Sequence, residues 1–204
     1  MKKNLPVIIL AGGNSDRMNF PKMFLPFDIR KTFIEKIVKE YFDFNCNEII
    51  IVLNKNFSDT PIIKKLVKSY DINLILNEHS ELEKFYSLSL GISILRNQSF
   101  CIIQNVDNPF ISSSLLNKMY NRRNLHSYVI PVYKEKAGHP VLIGKTIIER
   151  LKIEKNLNAN LRDILHEYKR VSITGNNSKI LANINSVEDY KKYYKLDPEI
   201  LLEK

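Results

Sequence analysis

Short runs of β-branched and other apolar residues alternate along this chain with longer stretches whose apolar residues recur at helical spacing. The short runs predict strands at Val7–Leu10, Glu48–Leu53, Ile72–Leu76, Phe100–Gln104, Ser127–Val132, Val141–Ile143 and Arg170–Ile173. The helical spacing predicts helices over Thr32–Phe42, Thr60–Ser69, Leu82–Leu95, Ser113–Tyr120, Lys145–Leu151, Asn160–Tyr168 and Ser186–Tyr194. Strands such as Ile49-Ile50-Ile51-Val52 lack polar alternation, which is the pattern of a sheet covered by helices on both faces. Ser186, followed three residues later by Asp189, reads as a capping-box start for the last helix. With no internal repeat and no linker rich in Gly, Pro or Ser, the pattern predicts one α/β domain over residues 1–204. Its expected form is three α/β/α layers, Rossmann-like, around a mainly parallel sheet.

Composition changes this picture little, and charge changes it more. Hydrophobic residues at 44% and charged residues at 26% are ordinary for a globular chain. The formal net charge of +9 suits anionic ligands such as a nucleotide or a phosphorylated metabolite. The Lys and Arg residues are scattered rather than gathered in a stripe with interleaved aromatics, which argues against a nucleic-acid partner. Cys46 and Cys101 supply neither a disulfide framework nor a metal-ligand set, and two reduced cysteines fit a cytoplasmic protein. The apolar stretch Leu5 to Leu10 is short for a signal-peptide core and is followed at once by Asn14, Asp16 and Arg17. No apolar run approaches the ~20 residues needed to span a bilayer, so no membrane partner is expected.

The chemistry concentrates where the first strand ends, in Leu10-Ala11-Gly12-Gly13-Asn14-Ser15-Asp16-Arg17-Met18 and then Pro21-Lys22. Adjacent glycines at the carboxyl end of a strand let the backbone approach a ligand and aim its N–H groups at an anion. Arg17 and Lys22 add cations for phosphate oxygens, one a planar fork and the other a point charge. The spacing is neither a Walker A loop nor a Gly-x-Gly-x-x-Gly fingerprint.

The pattern Leu-Ala-Gly-Gly-x-Ser-x-Arg-Met-x-x-Pro-Lys resembles the signature of the MobA-like and MocA-like nucleotidyltransferases, the molybdenum-cofactor guanylyl- and cytidylyltransferases. The resemblance implies a sheet of the nucleotide-diphospho-sugar-transferase type. It also implies nucleotide contacts from Leu10, Ala11, Gly12, Gly13, Ser15, Arg17, Lys22, Asn77 and Ser87. Ser87-Leu88-Ser89-Leu90-Gly91 is similar to the family's Ser-Leu-x-x-Gly, although Lys84-Phe85-Tyr86 stands where a glycine usually precedes the serine. Asp107-Asn108-Pro109-Phe110 resembles the family's Gly-Asp-x-Pro-Phe with Val106 in the glycine's place, and so implies Asp107 as a Mg2+ ligand. Asn183-Ile184-Asn185-Ser186-Val187-Glu188-Asp189-Tyr190 is similar to the closing motif, which implies Asn185 as the second metal contact. Gly138-His139-Pro140-Val141-Leu142-Ile143 resembles a segment bordering the acceptor site in the cytidylyl branch. With Arg162 it suggests acceptor contacts from His139 and Arg162.

These resemblances imply an enzyme with Lys22, Arg17 and Asp107 as catalytic residues and Mg2+ as cofactor. It would transfer CMP or GMP from a nucleoside triphosphate to a phosphorylated small-molecule acceptor of the molybdopterin type, as a monomer or homodimer. A sugar- or alcohol-phosphate cytidylyltransferase and a silent nucleotide-binding module are the competing expectations.

Overall fold

The computed structural model describes residues 2–14, 18, 20–82, 84–175 and 177–194. It contains an 8-stranded sheet of β1 (Val7–Ala11), β2 (Ile49–Asn54), β3 (Ile72–Asn77), β4 (Phe100–Asn105), β5 (Ser127–Tyr133), β6 (Lys136–Ala137), β7 (Val141–Gly144) and β8 (Lys169–Thr174). The helices are α1 (Phe33–Asp43), α2 (Pro61–Ser69), α3 (Lys84–Ser93), α4 (Ser113–Asn121), α5 (Lys145–Ile153), α6 (Leu161–His166) and α7 (Val187–Tyr193). Every strand and helix expected from the pattern is present within a few residues of its expected bounds; β6 is the addition.

The two faces of each central strand go to different cores, because side chains alternate along a strand with a period of 2. From β1, Val7, Ile9 and Ala11 join a core under α1, α2 and α4, which contribute Ile37, Leu66 and Leu116. Ile8 and Leu10 point the other way, to Leu88 of α3, Ile147 of α5 and Leu165 of α6. Each Ile or Leu buried in this way contributes about 1.5–3 kcal/mol relative to exposure. Gly91 lets α3 sit close to the sheet, since a Cβ there would run into Ile8 and come within 3.2 Å of Val52. A smaller third cluster, formed by Met18, Leu25, Phe33, Ile184 and Tyr190, holds α7 against the start of α1. No helix among the described residues is long and apolar enough to cross a membrane.

The strand order β3-β2-β1-β4-β7-β5-β6, with β8 also on β5, divides the sheet into two halves. From β3 to β4 every pairing is parallel. The sheet is mainly parallel, as expected, and this half carries most of the parallel pairings. The other half is mixed: β7 runs antiparallel to both β4 and β5, and only β8 restores a parallel pairing. The cause is local. β5, β6 and β7 follow one another through connections too short for a helical crossover, and short connections join antiparallel strands.

This order also fixes where a ligand can bind. From β1 the chain travels outward through β2 to β3, then crosses back to β4 on the other side of β1. The connections leaving β1 and β4 therefore diverge, and a crevice opens beyond their carboxyl ends.

Candidate active site

Two cavities open in and beside this crevice. The smaller, of about 220 Å3, is lined by Leu10, Ala11, Gly12 and Gly13 at the end of β1, by Lys22, and by Asp107 beyond β4. Just after the glycines, the side-chain Oδ1 of Asn14 accepts from the amide of Asn54 at the end of β2, at 2.8 Å. A Cβ at Gly12 would collide with Ser87 Oγ and lie 2.9 Å from Asn77 Nδ2, so any other residue here must displace one of these side chains. Those two side chains are themselves joined, Asn77 Nδ2 donating to Ser87 Oγ at 3.0 Å. Ser87 lines the cavity, whereas Asn77 stands behind it and accepts from the His79 N–H at 2.8 Å. Ser15 and Arg17 lie outside the described residues.

Lys22 opens a short 3-10 turn after Pro21, and its ammonium donates to Asn185 Oδ1 at 2.6 Å. Asn185 precedes the N-cap of α7. There the Ser186 hydroxyl accepts from the Asp189 N–H at 3.2 Å, as the capping-box reading expects. The reciprocal bond differs: Asp189 Oδ2 accepts from the N–H of Asn185, one residue before the cap. Asp has one methylene fewer than the Glu that usually closes this box, and here its carboxylate fixes the backbone of Asn185 instead.

Asp107 is positioned by a buried polar scaffold. Gln104, fully buried in β4, accepts from Tyr41 Oη at 2.7 Å and donates to the carbonyls of Asn105 and Asn108 at 2.7 and 2.8 Å. Asn108, also fully buried, donates to the carbonyls of Ile180 and Ala182 at 3.0 and 2.6 Å. The Asp107 carbonyl then accepts from the Ile184 N–H at 3.0 Å, so the turn after β4 and the strand-like segment before α7 are sewn together. Within this frame Asp107 Oδ1 is buried and has no hydrogen-bond partner among the described residues. An unsatisfied buried acceptor costs about 1–3 kcal/mol, so such an oxygen fits a cation ligand well. No group of three or more His, Cys, Asp or Glu side chains is gathered for a metal among the described residues. The donors present suit Mg2+, which takes few protein oxygens and completes its shell from water and phosphate.

The larger cavity, of about 720 Å3, adjoins the first and is shared with the mixed half of the sheet. Ile103, Tyr128, Ile130 and Leu165 form apolar walls, and both His139 and Arg162 line it. His139 follows β6, its N–H donates to the Ile180 carbonyl at 2.9 Å, and its ring Nδ1 lies 3.3 Å from Asn105 Nδ2. Burial lowers its pKa to about 4, helped by the positive charge of Lys84 and opposed by Asp107, so its imidazole is neutral at neutral pH. It can therefore hydrogen-bond an acceptor without adding charge. Arg162 stands in the first turn of α6, whose N-cap Asn160 accepts from the Arg162 N–H at 2.9 Å.

The structure thus brings the glycine segment, Lys22, Ser87 and Asp107 to one cavity, joins Asn185 to it through Lys22, and puts His139 and Arg162 in its neighbour. Sequence reasoning missed Gln104, Asn105 and Asn108. Their signal was present: polar side chains closing an apolar strand, at positions where both sheet faces are covered. It also took Lys84 only as a departure, whereas this residue lines both cavities.

The fold has counterparts among known proteins. A protein of Methanothermobacter described as a nucleotidyl transferase superposes with a TM-score of 0.74 at 17% identity, covering 98% of each chain. The Mycobacterium tuberculosis protein Rv0371c superposes with a TM-score of 0.77 at 14% identity, covering 96% of this chain and 100% of that one. In sequence, a Clostridium perfringens protein named as a probable molybdenum cofactor guanylyltransferase is 28% identical over 196 residues, 90% of this chain and 92% of that protein. The model of the MobA-like NTP transferase domain matches residues 7–171, a span that holds the glycine segment, Asp107, His139 and Arg162. The chain belongs to the MobA-like NTP transferase family and is a nucleotidyltransferase.

Proposed function

We propose that the chain transfers a nucleoside monophosphate, GMP or CMP, from a nucleoside triphosphate to a phosphorylated small-molecule acceptor of the molybdopterin type, releasing pyrophosphate. The observation that carries this reading is the pair of adjoining cavities at the β1–β4 crevice, one lined by the glycine segment and Asp107, the other by His139 and Arg162. The name of the Clostridium relative supports guanosine and a molybdenum-cofactor acceptor.

In this mechanism the triphosphate lies along the glycine segment with its base toward Ser87, and Lys22 neutralises charge on the departing pyrophosphate. Asn185 orients Lys22 for that role. Mg2+, held by Asp107, would supply Lewis-acid polarisation of the α-phosphoryl group when bound; Asn185, whose Oδ1 accepts from Lys22, would join it only in place of that bond. An oxygen of the acceptor phosphate forms the new bond to the α-phosphorus. The bond from that phosphorus to the β-bridging oxygen breaks, and its electron pair leaves with pyrophosphate. The second pKa of a phosphate monoester is near ~6, so the nucleophile is already ionised and no general base is required. Neutral His139 and Arg162 orient the acceptor. A cytoplasmic setting is part of the proposal, in keeping with two free, buried cysteines.

The test is a pyrophosphate-release screen of the four common triphosphates against molybdopterin, sugar phosphates and alcohol phosphates. Release that requires both GTP or CTP and a phosphorylated acceptor is expected. Nucleotide binding without release from any pair would overturn the enzymatic proposal.

A further inference from the structure

Three of the described residues line both cavities: Leu10, Asn105 and Lys84. Leu10 is apolar and Asn105 is neutral, so among the described residues Lys84 is the cation common to the two. Lys22 lines the smaller cavity alone, and Arg162 the larger alone. Lys84 is exposed at the start of α3, whose other end is fixed on the sheet through Ile92 and Gly91. Its backbone is thus anchored where the residue borders both spaces.

The chemistry proposed for this site creates a demand at that border. Two phosphates must approach there, each carrying negative charge. Like charges brought within a few ångströms in a partly buried site repel strongly. Lys22 stands on the leaving-group side with Asn185, and Arg162 stands on the acceptor side. Neither borders both ligands.

We infer that Lys84 is a further catalytic residue: its ammonium bridges the α-phosphoryl group of the bound nucleotide and the phosphate of the acceptor, offsetting their repulsion as the bond forms. This rests on the nucleotidyltransferase reading above. As the acceptor oxygen bonds to the α-phosphorus and the pyrophosphate takes the electron pair of the broken bond, charge spreads over the equatorial oxygens that Lys84 faces. A charge placed there acts more strongly in the transition state than on either ligand bound alone.

The test compares full-length wild type with Lys84→Met, which keeps most of the stem and removes the charge, and with Lys84→Arg. Calorimetry first measures binding of the α,β-methylene analogues of GTP and CTP with Mg2+. Inorganic phosphate is then titrated into the analogue-loaded protein. Lys84→Met is expected to weaken phosphate binding at least about tenfold and analogue binding about threefold or more, with Lys84→Arg within about threefold of wild type in both. In the pyrophosphate-release assay at saturating substrates, Lys84→Met is expected to lose about 10²-fold in kcat with a smaller change in nucleotide KM. A Lys84→Met protein that binds phosphate and turns over like wild type overturns the inference and leaves the nucleotidyltransferase reading standing. A wild-type protein that binds neither analogue overturns that reading, and the role of Lys84 falls with it.

Discussion

The two cavities that meet at Lys84 and Asn105 are built by different halves of the sheet and by different means. The smaller belongs to the parallel half and includes the glycine segment past β1, where a Cβ at Gly12 would strike Ser87. The larger reaches across the mixed half, where side chains from β5, β7 and α6 form the walls. A backbone cradle recognises what all nucleotides share, their phosphates, and tolerates little change. A side-chain cavity can be re-cut for a new acceptor without disturbing the strands that hold it.

Predictions that break or sharpen this contrast differ in size. The largest effect belongs to Asp107 on the parallel side. Asp107→Ala is expected to lower turnover by about 10³-fold or more while leaving the fold intact, since it removes an oxygen that no hydrogen bond satisfies. Pyrophosphate release and thermal unfolding check the two halves of that statement, and unchanged Mg2+ dependence would remove Asp107 from the metal site. Gly12→Ala comes next: the added methyl must displace Ser87 or Asn77, at a cost of about 1–3 kcal/mol in stability, and nucleotide affinity should fall at least about tenfold. Denaturant unfolding and nucleotide titration read both effects. If Gly12→Ala instead spared nucleotide binding and impaired only the acceptor, the assignment of the two cavities would be reversed.

Smaller changes are expected on the mixed side. Arg162→Ala should raise the acceptor KM about tenfold, or about 1.4 kcal/mol, and leave the nucleotide KM and kcat nearly unchanged. Steady-state kinetics with each substrate varied in turn would show whether the loss crosses into the nucleotide cavity. The smallest effect lies in the core away from both. Burial raises the Cys46 thiol to about 12 and Cys101 higher still, so at pH 8, well below either value, both are protonated. Neither should react with iodoacetamide in the folded protein, as intact mass spectrometry can verify, and activity should be unaffected.

The same contrast governs what could be read from the residues alone. Buried parallel strands declare themselves by runs such as Ile49-Ile50-Ile51-Val52, and glycines at a strand end declare a backbone site, because both signals are local. Asp107 came from its resemblance to a family motif, since Asp107-Asn108-Pro109 alone reads as a turn. The mixed half was harder, since the antiparallel entry of β7 depends on the length of its connections and not on which residues fill it. The scaffold beneath Asp107 was less legible again. Gln104 meets Tyr41 across 63 positions and Asn108 meets Ala182 across 74, and nothing near those residues announces such partners. Lys84 looked like a departure from a pattern because its significance lies in where two cavities meet, a property that no stretch of residues holds by itself.

The bond between Lys22 and Asn185 spans 163 positions. The two groups it joins meet only where α7 is docked against the start of α1. Local opening of that last described helix would break the bond, so the orientation of the Lys22 ammonium is tied to a small peripheral cluster and not to the main cores of the sheet.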